Sequence, residues 1–433
     1  MSNGKRNIIV LLFIIILDFM GFTLIFPLVP DLLLYYVKHP VYELDKIIIG
    51  FFYNLDHTIK YYLQFNNEFK EDIVLIIGSI VSSIYSILQF LFAPYWGKQS
   101  DLKGRKKILI LTSSGLAFSY LFWFFSKSFS LFLFSRIIGG IMAGNVGVAS
   151  AAMADISDKK KRTAFMGLVG MSFGLGFILG PVFGGILYYL GNEYFTFLLK
   201  YDFFHPFSIC SLGSFILALL SIILNIFFLE ETYIPQKEFQ RKYKGFNIFQ
   251  LKHLDKRIRL LIILNLIYML IFTSYEFTFT FFYKFTFSLT PREIGFVFFY
   301  LGILIALGQG ILSRLVSGKI HEKTMIRIGI LLLPFTFLLQ PILKQNIILS
   351  LITLIPLACG NSLFQPAINS YASLLSKKEE QGYILGLMRS LGSLSRAIGP
   401  IIGGSLYWLV DIQLTYLIFI LVLVFAFMLS YKL

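Results

Sequence analysis

Five charged side chains stand inside stretches that are otherwise almost wholly apolar: Asp18, Arg136, Glu276, Arg389 and Arg396. An ionisable group carried into hydrocarbon is expensive unless it is paired or wet, so a chain that keeps one keeps it for a task. Two chemistries suit these five. A buried acid can take up a proton on one side of a barrier and release it on the other, which makes Asp18 and Glu276, with Arg136 as a charge partner, candidates for proton coupling. Arginine holds its charge in essentially any protein setting. Arg389 and Arg396, seven residues apart and so on one helical face, therefore suit an anionic substrate, the more so because three bases against two acids leave a positive excess. Neutral hydrogen bonds would come from Asn361, Gln365 and Asn369, spaced along one face beside Pro366, and from Asn145 and Gln89. The plainer reading is structural: Arg136 with Glu276, or Asp18 with an arginine, would be static buried ion pairs.

The elements that carry these residues are long and oily. Of 433 residues 57% are hydrophobic and 14% charged, with a mean hydropathy of +0.77, against roughly 45–50% and about 25% for a soluble domain. Apolar runs of about twenty residues, enough to cross roughly 30 Å of hydrocarbon, recur near residues 8–30, 73–96, 107–126, 129–154, 163–190, 206–229, 259–283, 293–313, 325–343, 347–374, 382–409 and 412–431. The pattern predicts an all-α membrane protein of twelve transmembrane helices. If the N-terminus lies in the cytosol, the inner segments carry 26 Lys and Arg and the outer loops 9, the asymmetry expected of cytosolic loops. Both termini are thus placed inside, and the net charge of +15 reflects topology rather than a nucleic-acid surface. Plasma and internal membranes are not distinguished. The first run extends past twenty residues without a small-residue cleavage site, as a retained helix does. Cys210 and Cys359 both fall within spans, so no disulfide framework is implied.

An internal repeat organises the spans. The segment 180-GPVFGGILYYL-190 matches 399-GPIIGGSLYWL-409 at a shift of 219 residues, about half the chain. The chain divides into an N-terminal six-helix half (1–229, with an outer loop at about 38–72), a cytosolic linker (230–258) and a C-terminal half (259–433), a duplication of the kind seen in secondary transporters.

Between spans two and three, 97-GKQSDLKGRKK-107 interrupts the apolar pattern. Gly97 and Gly104 permit a tight turn. Asp101 can accept from a helix N-terminus or pair with an arginine such as Arg105, in a bond made in one state and broken in another. Asp155, at the inner end of span four, is a helix-end group or a further partner of this latch. The matching loop 314-RLVSGKIHEKT-324 lacks the Asp-x-x-Gly-Arg core. In span five, 176-GFILGPVFGG-185 places Gly176, Gly180 and Gly184 in a side-chain-free stripe, with Gly185 beside it and Pro181 as a kink. Small residues recur in spans two, eight and eleven (Ser395, Gly399 and Gly403 in the last).

The G-x-x-x-D-x-x-G-R-K-K loop resembles the signature of the major facilitator superfamily, and the glycine–proline pattern of span five resembles that of its drug:proton antiporter branch. The run 17-LDFMGFTLIFPLVPDLL-33 is similar to the first helix of bacterial tetracycline antiporters. Together with 135-SRIIGGIMAGNV-146 and 388-MRSLGSLSRAIGP-400 it is most similar to the eukaryotic tetracycline-transporter-like branch. The resemblance implies two pseudo-symmetric six-helix halves, packed against each other through the small-residue stripes, and transport of organic anions or drugs. Spans three and nine lack the acids of the bacterial antiporters, which counts against tetracycline itself as substrate.

No metal-ligand cluster, catalytic triad or nucleotide-binding glycine loop is present, so neither an enzyme nor a cofactor is expected. The expectation is a monomeric, multi-pass secondary active transporter working by alternating access on a small molecule, with protons coupled to efflux and no nucleic-acid partner. A uniporter or importer of a small metabolite, and a transporter-like receptor or scaffold, remain the alternatives.

Overall fold

The computed structural model describes residues 3–63, 72–156, 162–201, 204–233, 254–316, 319–376 and 381–433, and every regular element among them is helical. Most of the expected linker, at residues 234–253, and part of the outer loop, at residues 64–71, lie outside the described residues. The first span is α1 (Asn3–Thr23), a 3-10 turn at Phe26–Leu28 and α2 (Val29–Lys38). The turn falls at Pro27, and Pro30 is the second residue of α2, positions where a missing N–H costs little. The expected outer loop contains α3 (Glu43–Leu63). There follow α4 (Asp72–Lys103), α5 (Arg105–Phe124), α6 (Phe129–Met142), α7 (Asn145–Asp155), α8 (Arg162–Tyr194) and α9 (Ser208–Ile223). The second part of the chain forms α10 (Lys256–Phe287), α11 (Pro291–Leu307), the short α12 (Ser313–Val316), α13 (Glu322–Ile342), α14 (Ile347–Ile352), α15 (Leu354–Leu375), α16 (Gln381–Leu409) and α17 (Ile412–Ser430).

Eleven helical stretches among the described residues are long and apolar enough to cross a membrane. The remaining expected span, α16, has 29 residues and so the length to cross. Its Arg389, Arg396, serines and glycines keep it below the others in apolarity.

Proximity divides the chain into two compact units, Met1–Pro235 with Tyr283–Phe299, and Gln236–Phe282 with Tyr300–Leu433. The segment 283–299 belongs to the first unit through close contacts. A Cβ on Gly295 would meet Pro181 O at 2.6 Å and one on Gly185 would meet Pro291 O at 2.8 Å. Lys284 Nζ pairs with Asp31 Oδ1 at 2.6 Å.

The glycine stripe of α8 packs in two directions. Gly176, Gly180 and Gly184 lie within the first unit against the first span, from Ile16 to Leu24, while Gly185 and Pro181 beside them meet Pro291 and Gly295. A Cβ at Gly176 would meet Phe19 Cβ at 2.7 Å, and one at Gly180 would meet Met20 O at 2.8 Å. Thr23 Oγ1 uses this approach to donate to Gly176 O at 3.1 Å. The second unit repeats the device inside itself: Gly399 and Gly403 lie against Thr273 and Ser274 of α10, and Thr273 Oγ1 donates to Ser395 O at 2.9 Å. The i, i+4, i+8 spacing specifies one bare face, and the neighbouring helix of the same unit covers it.

Candidate functional site

In the first unit the span at 129–154 is broken between α6 and α7 for a reason the sequence shows. Ala143 leaves helical geometry at φ −73, ψ 42. Gly144 follows because its Cβ would strike Trp96 Cβ at 2.6 Å. The helix restarts at Asn145, which places an amide side chain at the break. Asn145 Nδ2 donates to Asp18 Oδ2 at 2.9 Å and is 3.1 Å from Ser113 Oγ. Ser221 Oγ lies 3.5 Å from Ser113 Oγ and brings a second hydroxyl to the cluster. Four helices, α1, α5, α7 and α9, thus contribute to one chain of hydrogen bonds that ends on the carboxyl of Asp18, a residue that is 8% exposed. Its partners are neutral, which sets aside the static pair of Asp18 with an arginine. The carboxyl borders a small, partly open cavity lined also by Phe19, Phe22, Tyr85, Gln89 and Asn145. Gln89 Nε2 reaches Ala143 O at 3.4 Å, so it meets a carbonyl left over by the helix break. An acid, two amides and aromatic walls thus surround one small polar space.

Arg136, on α6, does not join that carboxyl. Its guanidinium carbon lies 5.1 Å from the Trp123 ring, 5.5 Å from Phe132 and 5.7 Å from Tyr120. Its only side-chain hydrogen bond among the described residues is from Nε to Ser135 Oγ at 3.4 Å, and one terminal nitrogen is buried without a partner. Aromatic faces, rather than an acid, hold the charge.

In the second unit, Glu276 on α10 and Arg396 on α16 are electrostatic neighbours. Arg396 is exposed in the isolated chain and donates to Ser393 Oγ at 3.3 Å. Arg389 is exposed as well. Of the polar positions on α15, Asn361 is buried, Gln365 Nε2 is buried without a partner, and Asn369 Nδ2 is taken by Gln365 O at 2.9 Å. Asn265 Nδ2 reaches Met388 O at 3.4 Å, near the base of the arginine pair.

At the far end of the first unit, Arg105 gathers the loop residues. It pairs through NH1 with Asp101 at 2.6 Å and through Nε with Asp155 at 2.9 Å, and NH1 reaches Ser100 Oγ at 2.6 Å. Glu231, just past the last helix of this unit, caps α5: its carboxylate accepts from Arg105 N at 2.8 Å and Lys106 N at 3.2 Å. An acid there is favoured by the helix dipole. Gly104 is at φ +96, and a Cβ on it would meet Glu231 Oε2 at 2.5 Å; both facts require glycine. Gly97 has open space around it.

Comparison with known proteins decides the family. The Major Facilitator Superfamily profile matches residues 11–400 and 286–433. The chain belongs to the Major Facilitator Superfamily. It is 28% identical over 460 residues to major facilitator superfamily domain-containing protein 10 of Mus musculus, covering 100% of this chain and 94% of that one. It is 28% identical to the class H tetracycline resistance protein of Pasteurella multocida, with 93% and 89% covered. Its fold matches the crystal structure of the human organic anion transporter MFSD10 (TETRAN) at a TM-score of 0.72 and 24% identity, covering 99% and 100%. As a superfamily member it is a multi-pass membrane transporter of a small molecule and not an enzyme.

Three features of this superfamily site are absent from a reading of the sequence. Glu231 reads as a linker acid, and its capping role spans 126 residues. Ser113 and Ser221 are ordinary small residues of apolar runs. The break before Asn145 has a signal, the Gly144–Asn145 pair within an otherwise helical run.

Proposed function

We propose that the chain is a proton-coupled secondary transporter that exports organic anions or amphiphilic drug-like molecules by alternating access. The observation that carries this reading is Asp18: a buried carboxyl held by neutral donors at a helix break, on the wall of a cavity. Such a group has no cation whose loss would strand it when it gains a proton. Discontinuous helices of this kind form substrate and ion sites in other transporter folds. Glu276 beside Arg396 is a second place for a proton, Arg136 sets the charge of the first unit, and the exposed Arg389 and Arg396 supply positive charge for an anion. The organic anion and tetracycline relatives are consistent with amphiphilic cargo. In the same reading the molecule is a monomer with both termini in the cytosol. Its six-helix halves, 1–229 and 259–433, are joined by a linker at 230–258.

Purified protein in liposomes with an imposed pH gradient tests this, scanned over anionic, neutral and cationic fluorescent compounds. Gradient-driven accumulation of an anion is expected. Asp18→Asn should abolish accumulation while leaving exchange between equal pools intact, and Glu276→Gln shows by the same split whether it shares the proton. Accumulation that survives both substitutions, or that ignores the gradient, rejects proton coupling and leaves a uniporter.

A further inference from the structure

The helix α3 lies outside the eleven candidate spans, yet it presents apolar side chains that nothing among the described residues covers. Its residues sort into three faces by helical spacing. Asp45, Ile49 and Phe52 are buried against the rest of the first unit. Leu44, Ile47 and Phe51, on the adjacent face, are 53%, 65% and 61% exposed. Lys46, Tyr53 and His57 occupy the third. A helix docked on a bundle needs two faces, one to pack and one for water. The third, apolar face calls for a further medium.

The depth of α3 is fixed by one carboxylate. Asp45 is fully buried. Its Oδ2 accepts from Val41 N at 3.1 Å and Tyr42 N at 3.0 Å, closing the turn that starts α3. Its Oδ1 accepts from Ser130 N at 2.8 Å, in the first turn of α6. Because Phe129 begins a candidate span, the start of α3 is pinned to the level where chain passes from water into hydrocarbon. The helices it docks on, α4 and α6, show exposed apolar side chains along their spans, among them Ile87, Leu91 and Phe134. The bare face of α3 is thus of the same apolar kind as the surface its two neighbours expose along their spans.

We propose that α3 is an in-plane helix of the membrane interface, seated in the headgroup layer at the end of the bundle opposite the 97–107 loop. Leu44, Ile47 and Phe51 turn into the acyl boundary while Lys46, Tyr53 and His57 face water. The occupant of the bare face is the bilayer. Lys46 is paired with Glu43 at 2.6 Å, so the start of the helix brings no free positive charge to attract anionic lipid. Seating by apolar burial, insensitive to salt and to anionic lipid content, is the expected behaviour.

The test uses the full chain in phosphatidylcholine liposomes with Cys359→Ser, Cys210 being fully buried. An environment-sensitive fluorophore is attached in turn at Ile47→Cys, Phe51→Cys and His57→Cys. Lipids with a spin label near the headgroup should quench positions 47 and 51 several-fold more than iodide does, and position 57 should show the reverse. Adding anionic lipid or salt should leave the pattern unchanged. Equal iodide quenching at all three positions would overturn the proposal, since the helix would then stand free in water. Shielding of 47 and 51 from both quenchers would overturn it in favour of a protein partner or a second copy. A pattern that appears only with anionic lipid would overturn the neutral mode of seating.

Discussion

His205 offers a quantitative check on how the end of the first unit opposite the 97–107 segment is held. It lies outside the spans and is 2% exposed. Its Nε2 is 2.9 Å from Trp123 O, and its Nδ1 accepts the Phe207 N–H at 3.3 Å. A carbonyl can only accept, so the ring is neutral with its hydrogen on Nε2. A second proton, on Nδ1, would point at the Phe207 N–H and break that bond inside a dry, aromatic cluster that includes Tyr35 and Tyr36. Burial accordingly pushes the ring's pKa down to about 4, and nearby Lys127 pushes the same way.

The sign follows from linkage. The folded value lies below the unfolded value of about 6.5, so between these limits the unfolded chain binds more protons and stability falls as pH falls. The contribution is complete above about pH 6.5, has dropped by about 2 kcal/mol at about pH 5, and is down by about 3 kcal/mol once both states are protonated. His205→Asn removes the titration at a fixed cost in packing. Apparent Tm in detergent, measured for both proteins from about pH 7.5 to about pH 4.5, isolates the term. The wild type should start higher and converge on the variant as the solution is acidified. Parallel curves would show that His205 is not neutral and buried as described.

Asp101→Asn leaves Arg105 paired with Asp155, so thermal stability should fall by only about 1 kcal/mol while transport drops sharply; wild-type flux would rule out a switching role for the pair. Gly180→Ala forces a Cβ onto Thr23 and Met20 O and should cost about 1–3 kcal/mol, read as a Tm loss. Gly174→Ala, with open space around it, should be neutral or slightly stabilising. A bound anion should raise Tm more than its neutral analogue does, with the difference lost in Arg396→Gln; equal protection would mean that Arg396 serves Glu276 alone.

How much of this was legible depends on the range of the interaction. Spans, repeat and loop motif are written in local pattern, and the structure shows helices over all twelve runs. The helix α3 is not, because its apolar residues share the sequence with Lys46, Asp56 and His57 and dilute any periodic signal. Asp45 reads as a surface acid of a loop, since its decisive contact, the Ser130 N–H, is 85 residues away. The five intramembrane charges stand out in sequence because they are costly there. Their partners do not: Asn145, itself held by Ser113, for Asp18 and three aromatic rings for Arg136. Partners chosen from neutral and aromatic types are common in apolar spans, so composition cannot single them out.

Thr23 and Thr273 each donate to the carbonyl four residues back and to the facing helix, at Gly176 O and Ser395 O. Residues 176 and 395 are 219 apart, the repeat shift itself, so the two threonines are equivalent positions. In that register Asp18 corresponds to Tyr268, which stacks on Phe364 at 3.7 Å with its hydroxyl buried and unpartnered. Glu276 corresponds to Phe26. The repeats therefore share their packing and differ in where the acid sits, by eight residues or about 12 Å along the helix. Shared packing predicts that Thr23→Val and Thr273→Val lose similar stability, each about 1 kcal/mol, measured as Tm. Displaced acids predict that Tyr268→Asp, which puts a carboxyl at the mirrored position, does not restore accumulation to Asp18→Asn. Restoration would mean that either repeat can carry the proton at the same depth, and that the neutral cluster of Asn145, Ser113 and Ser221 is not what fits Asp18 to the task.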